Sequence, residues 1–144
     1  HVLQSAISPY KLRLETLGGS VSITGEQLYI DGDAHHLTHL FSNLIDNAIK
    51  YTNEAPSIQL SVKLIESLIE IKVIDNGIGM QQDVLKNIFK KFYRVPTGDI
   101  HNVKGFGIGL NYVQLVVDQH KGNIKVRSEV GSGTTFILEF PTAK

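Results

Sequence analysis

Apolar residues recur along this chain of 144 residues at spacings that predict alternating helices and strands. The clearest signal is a helix from Ala34 to Tyr51, because its apolar side chains form one stripe at the 3.6-residue period. A turn at 31–33 precedes this helix and ends on Asp33, a residue type that caps helix N-termini. The stripe comprises Leu37, Leu40, Phe41, Leu44, Ile45 and Ala48.

Helical spacing is weaker in three other segments, 1–17, 82–92 and 108–120. Pro9 weakens the first of them, because proline has no backbone N–H to donate. The last is followed by Gly122, at a position where glycine commonly ends a helix.

Strict alternation of apolar and polar residues predicts strands in the remaining chain. Residues 58–64 and 68–75 form one predicted hairpin, and residues 124–129 and 134–140 form a second. Two shorter strands, Val21 to Thr24 and Leu28 to Ile30, are expected to join around Gly25.

These elements predict one α+β domain over residues 1–144, a two-layer α/β sandwich. Three main helices are expected to cover one face of a mixed, mostly antiparallel sheet of about five strands. A chain of this length buries about 68–70% of its unfolded surface, so a substantial core is expected. Because the sequence begins at His1 without a Met, we interpret it as a fragment of a longer protein.

Composition narrows the functional classes. The chain is 42% hydrophobic and 19% charged, which argues against a disordered tail, and no apolar run approaches the ~18 residues of a membrane span. The absence of Cys excludes disulfides, thiolate metal sites and a Cys nucleophile. Since 14 basic residues balance 14 acidic ones, no nucleic-acid partner is expected. Locally, however, residues 86–104 hold five Lys or Arg against Asp99 alone, which favours an anionic ligand there.

Three polar side chains share one flank of the long predicted helix. Asn43, Asn47 and Lys50 project within an arc of roughly 60° beside the apolar stripe. Magnesium prefers hard oxygen ligands and takes only one or two from protein when phosphates supply others, and Lys50 could hold a phosphate oxygen. A solvated helix flank with recurring Asn is the alternative interpretation.

Three glycine-rich segments are further candidates. DNGIGM, from Asp75 to Met80, directly follows an apolar strand. Its glycines would allow a flat ligand to approach the Asp75 carboxylate closely. The alternative interpretation is a tight Asn-Gly turn without a ligand. GFGIGL, ending at Leu110, opens a helix whose free backbone donors attract phosphate, but it matches neither a dinucleotide fingerprint nor a P-loop. GSGTTF, ending at Phe136, is either a simple hairpin turn or a source of threonine hydroxyls for a ligand.

Taken together, the segments resemble the catalytic ATP-binding domain of sensor histidine kinases, a member of the GHKL group with the Bergerat fold. NLIDNAIKYT resembles the asparagine box, IFKKFYR the phenylalanine box, and DNGIGM, GFGIGL and GSGTTF the three glycine boxes. The resemblance covers the chain from about Tyr29 to Pro141. Five motifs in the family's order make it highly specific.

The resemblance implies MgATP as the ligand, with Asn47 as the magnesium ligand and Asn43 as a second ligand or phosphate contact. It places Asp75 against the adenine amine and assigns the catalytic roles to Asn43, Asn47, Lys50 and Arg94. The full set of residues implied at the nucleotide is Asn43, Asn47, Lys50, Tyr51, Asp75, Gly77, Ile78, Gly79, Tyr93, Arg94, Lys104, Gly105, Phe106, Gly107, Ile108, Gly109, Leu110 and Thr134.

The resemblance further implies transfer of the γ-phosphate to a His on a separate phosphoacceptor hairpin, in the same polypeptide or a dimer partner, and then to a response regulator receiver domain. The expected setting is the cytoplasmic part of a bacterial inner-membrane sensor, homodimeric as a whole, with the isolated domain monomeric. No acceptor motif is present in this chain. A GHKL ATP hydrolase is one alternative, but hydrolases of the group carry a Glu where Asn43 stands. A non-catalytic nucleotide-binding module is another.

Overall fold

Five strands form one mixed sheet in the computed structural model, which describes residues 2–52, 54–89 and 108–142. The strands are β1 (Ser20–Gly25), β2 (Ser57–Ile65), β3 (Leu68–Asp75), β4 (Asn123–Glu129) and β5 (Gly133–Pro141). The helices are α1 (Val2–Ile7), α2 (Lys11–Thr16), α3 (Ala34–Lys50), α4 (Gln82–Leu85) and α5 (Ile108–Gln119), with a 3-10 turn at Ser8–Tyr10 between the first two.

The sheet has the strand order β1-β2-β3-β5-β4. β1 and β2 pair in parallel, whereas the other three pairs are antiparallel. The register aligns apolar residues across the sheet: Leu60 lies opposite Val73, Val73 opposite Phe136, and Phe136 opposite Val126. This arrangement confirms the predicted mixed, mostly antiparallel sheet.

The core lies between one face of this sheet and the helices. Alternate residues of β2, β3 and β5 are buried, as the period of two predicts, while residues between them face solvent more often. Helix α3 contributes the whole predicted stripe, and Ile49 is buried with it. The helices form the second layer: α3 packs against α1 and α5, and their buried residues join one core with those of the sheet. This arrangement confirms the predicted two-layer sandwich.

Helix α3 begins where the sequence predicts, because Asp33 caps it. The Asp33 Oδ1 accepts hydrogen bonds from the backbone N–H groups of His35 (2.9 Å) and His36 (3.1 Å). These bonds, chiefly the one from His36, lower the pKa of the Asp33 carboxyl. The helix ends at Lys50, one residue before the predicted end.

Two local predictions were wrong. Residues 28–30 form no strand: Gly25 adopts a φ of +111° at the end of β1, and the chain then leaves the sheet without an antiparallel partner. At the end of α5 the left-handed residue is Lys121 (φ +58°) and not Gly122. Gly122 is required by space instead, since a β-carbon there would lie 2.6 Å from the Glu139 carbonyl oxygen.

The predicted helix 82–92 is only partly testable. Its described portion contains the single helical turn Gln82–Leu85, followed by a turn through Phe89. The remainder, including Phe92, lies outside the described residues.

Candidate functional site

A cleft opens at one end of the sheet, between the ends of β3 and β5 and the helices α3 and α5. About 500 Å³ of empty space lies in and in front of it, open solvent included. The cleft is lined by Asn47, Ala48, Tyr51, Asp75, Ile78, Gly79, Met80, Leu110, Thr134 and Phe136. It is therefore mostly apolar with a few polar groups.

Asp75 is the acidic group of this cleft. Its Oδ1 accepts hydrogen bonds from the backbone N–H groups of Gly77 (2.8 Å) and Thr134 (3.1 Å), which fix the orientation of the carboxylate. Its Oδ2 makes no hydrogen bond with any described residue. Burial raises the pKa of the Asp75 carboxyl, and the bonds from Gly77 and Thr134 oppose that rise only in part. The cleft thus presents a half-buried, oriented hydrogen-bond acceptor.

A polar row continues from Asp75 across the end of the sheet. Thr134, only 7% exposed, follows on β5, and Ser128 lies opposite it on β4. Their hydroxyl oxygens are 2.8 Å apart, and the Ser128 Oγ also accepts from the Met80 N–H at 2.8 Å. The row therefore ties the loop after β3 to both C-terminal strands.

Glycines allow this loop to pass close to its neighbours. A β-carbon on Gly77 would lie 2.5 Å from the Tyr51 carbonyl oxygen, and one on Gly79, whose φ is +75°, would collide with the Glu129 carbonyl oxygen. Between them, the Ile78 N–H donates to the Tyr51 carbonyl at 2.9 Å. The glycines thus let the loop lie against both the end of α3 and the end of β4.

Helix α3 brings only part of its predicted polar flank to the cleft. Asn47 lines it, and the Asn47 carboxamide makes no hydrogen bond with any described residue. Asn43 and Lys50 are partly buried but do not line the cleft. The Lys50 ammonium instead pairs with Asp46 at 2.7 Å, and Asp46 also contacts Arg13 at 3.4 Å.

Some predicted ligand residues cannot be placed. Tyr93, Arg94, Lys104, Gly105, Phe106 and Gly107 lie outside the described residues. Ile108 and Gly109 are described only as the first backbone positions of α5. The cationic segment 86–104 likewise lies mostly outside the described chain.

Several cleft residues were missed from the sequence. Ala48, Met80 and Phe136 line the cleft, and Ser128 supports it from behind. A signal for Ser128 exists, since it continues the period-two series that Ile124 and Val126 begin on the helix-covered face of β4. That series alone does not show that the row meets Asp75.

Comparison with known proteins shows the family to which this chain belongs. The sequence profile of the histidine kinase-, DNA gyrase B- and HSP90-like ATPases matches residues 32–144. The chain belongs to this ATPase family. Its relatives include the sensor protein RprX of Bacteroides fragilis, which is 38% identical over 147 positions, covering 99% of this chain and 28% of RprX. AtsR of Burkholderia thailandensis, a sensor histidine kinase, is 34% identical over 134 positions, covering 91% and 22%.

Solved structures agree on the fold of this ATPase-family domain. The mycobacterial sensor histidine kinase MprB matches with a TM-score of 0.83 at 23% identity, over 98% of this chain and 93% of that one. Full-length ShkA, in complex with AMPPNP, matches with a TM-score of 0.81 at 27% identity, over 99% of this chain and 30% of that one. The predicted family is confirmed by the profile match, and the predicted fold is confirmed by the similarity to histidine kinase structures.

The chain is much shorter than its relatives. This chain spans only about a quarter of the length of the curated relatives RprX and AtsR. In residues 2–52, 54–89 and 108–142, no helix combines the length and apolar character needed to cross a membrane.

Proposed function

We propose that this ATPase-family domain binds MgATP in the cleft and transfers the γ-phosphate to a histidine on a phosphoacceptor hairpin. That hairpin would belong to the same sensor kinase polypeptide or its dimer partner, with a response regulator receiver domain as the next acceptor. The observation that carries the proposal is Asp75, a half-buried carboxylate with one oxygen fixed by two backbone donors and the other without a described partner. The sensor histidine kinases among its relatives support the reaction class.

Asp75 would recognise the adenine base. Its Oδ2 can accept from the exocyclic amine, while the adjacent Ile78, Met80 and Phe136 offer apolar surface for a flat ring. Thr134 would support the same ring edge from the start of β5. The ShkA structure, which holds the ATP analogue AMPPNP, is consistent with a nucleotide at the equivalent cleft.

The cleft chemistry also fits magnesium. The Asn47 carboxamide supplies a hard neutral oxygen at the cleft and is not engaged by the described residues. Magnesium usually takes one or two protein oxygens and completes its octahedron with phosphates and water, so a single amide ligand suffices. Asn43, one turn earlier on α3, would act as a second ligand or a phosphate contact. When bound, the metal would neutralise charge that develops on the transferring phosphoryl group.

The protein's own contribution to phosphoryl transfer is positioning and charge. Backbone N–H groups at the start of α5, from Ile108 to Leu110, would bind phosphate oxygens at the positive end of the helix dipole. Gly107, which precedes Ile108 in the sequence, is proposed to add its own backbone N–H. Lys50 would exchange its Asp46 carboxylate for a phosphate oxygen, and Arg94 would add a second cation. Tyr51, Tyr93, Lys104, Gly105 and Phe106 complete the proposed contacts.

Transfer is favoured over hydrolysis by the residue one turn before Asn47. Asn43 occupies this position, and a carboxamide is a poor base for activating water. The chain also lacks the acceptor motif, which agrees with transfer to a separate segment.

The proposal is tested by incubating the chain and labelled MgATP with the separate acceptor hairpin of a related sensor kinase. We expect label on the hairpin, and at least about tenfold slower labelling for Asn47→Ala and Asp75→Asn. Asn123→Ala is the matched control, because Asn123 lies on β4 outside the cleft and its side chain, among the described residues, hydrogen-bonds Glu139. Labelling that is unaffected by Asn47→Ala would overturn the assignment. Rapid release of phosphate without a hairpin would favour a hydrolase.

A further inference from the structure

His120, the residue after α5, joins the end of that helix to the start of α3. Its Nδ1 lies 2.7 Å from the Val116 carbonyl oxygen, and its Nε2 lies 3.0 Å from the backbone nitrogen of Asp33. A carbonyl oxygen can only accept, so Nδ1 carries a proton. The Asp33 N–H can only donate, so Nε2 carries none. The two contacts therefore require a neutral imidazole with its proton on Nδ1.

The partly buried imidazole is also flanked on two sides. A β-carbon on Gly32 would lie 2.6 Å from Nε2, so the turn before α3 passes directly over the ring. On the side of the sheet, the ring of Phe140 meets the His120 ring edge-on at 6.4 Å and 89°. Packing thus holds the acceptor nitrogen in place for Asp33.

This bond lies at the opposite end of the α3–α5 pair from the cleft. His120 follows the end of α5 and meets the start of α3, whereas Leu110 near the start of α5 and Asn47 near the end of α3 line the cleft together. A second contact joins the early part of each helix, where the His36 Nδ1 and the Tyr112 hydroxyl oxygen are 2.9 Å apart. The His120 bond therefore ties the end of α5 to the start of α3, away from the residues that line the cleft.

We propose that His120 is a positioning residue for the nucleotide cleft. By accepting from Asp33, it sets how α3 lies against α5, and hence how Asn47 and Leu110 face each other across the cleft. The inference rests on the proposed nucleotide function and extends it to a residue that lies outside the cleft.

The test compares two substitutions that distinguish the effect of losing the hydrogen-bond acceptor from the effect of losing the aromatic ring. His120→Phe keeps an aromatic ring against Phe140 but removes the acceptor, whereas His120→Gln can present a side-chain oxygen to the Asp33 N–H. We expect His120→Phe to weaken ATP affinity at least about threefold by calorimetric titration with Mg²⁺ and to speed hydrogen exchange at the Asp33 amide. We expect His120→Gln to restore most of both. His35→Phe is the matched control, since the His35 ring makes no hydrogen bond with the described residues.

Gly32→Ala provides a second route if His120→Phe does not fold, because the added methyl group displaces the ring while the imidazole is kept. It should reproduce the loss of ATP affinity. Unchanged ATP affinity in a folded His120→Phe protein would overturn the inference, as would a His120→Gln protein that binds no better than His120→Phe. Failure of the unsubstituted chain to bind ATP would instead contradict the proposed function.

Discussion

Replacing Asp75 by Asn should change the chemistry of the cleft without changing its shape. The backbone N–H groups of Gly77 and Thr134 both donate to one Asp75 oxygen. In Asp75→Asn only the carbonyl oxygen can meet these donors, because the amide NH₂ would face them donor to donor. The NH₂ group must therefore take the position of Oδ2. The acceptor proposed for the adenine amine becomes a donor.

The size of the effect follows from the bond that is lost. A hydrogen bond to a charged group contributes about 1.5–3 kcal/mol, which corresponds to a Kd for ATP raised about 10-fold to 150-fold. Because two donors then face each other, we expect the upper part of this range. Asp75→Asn should still fold, since both backbone donors keep their acceptor.

A comparison of ATP with ITP makes the test specific. The base of ITP carries a carbonyl oxygen where adenine carries its amino group, so it offers an acceptor at that position. In calorimetric titrations the unsubstituted chain should prefer ATP, and Asp75→Asn should reverse that preference. Asp118→Asn is the matched control, because Asp118 is exposed near the end of α5. An equal loss of both nucleotides in a folded Asp75→Asn protein would show that Asp75 does not face the base.

Two further predictions concern stability. Gly79→Ala should lower the free energy of unfolding by at least about 1–2 kcal/mol more than Gly131→Ala in urea titrations. Both glycines have positive φ, but of the two only Gly79 lies against a backbone carbonyl. Equal losses of unfolding free energy in the two variants would refute the steric argument. Because burial raises the pKa of Asp75, folding is disfavoured as pH rises from about 3.9 through the folded-state pKa. Asp75→Asn should therefore gain stability relative to the unsubstituted chain at neutral pH, and a gain that persists in acid would contradict this.

Local sequence determined the elements wherever a residue's own neighbours decide its conformation. The stripe from Leu37 to Ala48 made α3 predictable because one helical face must be buried, and the alternation in residues 58–75 fixed the first hairpin for the same reason. The residues 28–30 show the limit. Their composition suits a strand, but a strand also needs a partner edge, and the turn at Gly25 leads the chain away from one.

The family resemblance implied a nucleotide site, and the part of it that the structure brings to one cleft comprises Asn47, Tyr51, Asp75, Ile78, Gly79, Leu110 and Thr134. Spacing did not separate Asn47 from Asn43 and Lys50, since an arc of roughly 60° on a helix includes both cleft and flank. The ion pair with Asp46 that engages Lys50 depends on which neighbours the fold supplies.

The sequence by itself therefore determined the family, the main helices and hairpins, and the residue types that are suited to binding a nucleotide. Only the tertiary structure decided which of them meet. The row brings Asp75 to Thr134 and Ser128 from a strand 59 residues earlier than Thr134, and the bond from Asp33 to His120 spans 87 residues. Such contacts follow from strand order and helix packing, which are global properties that no local pattern contains.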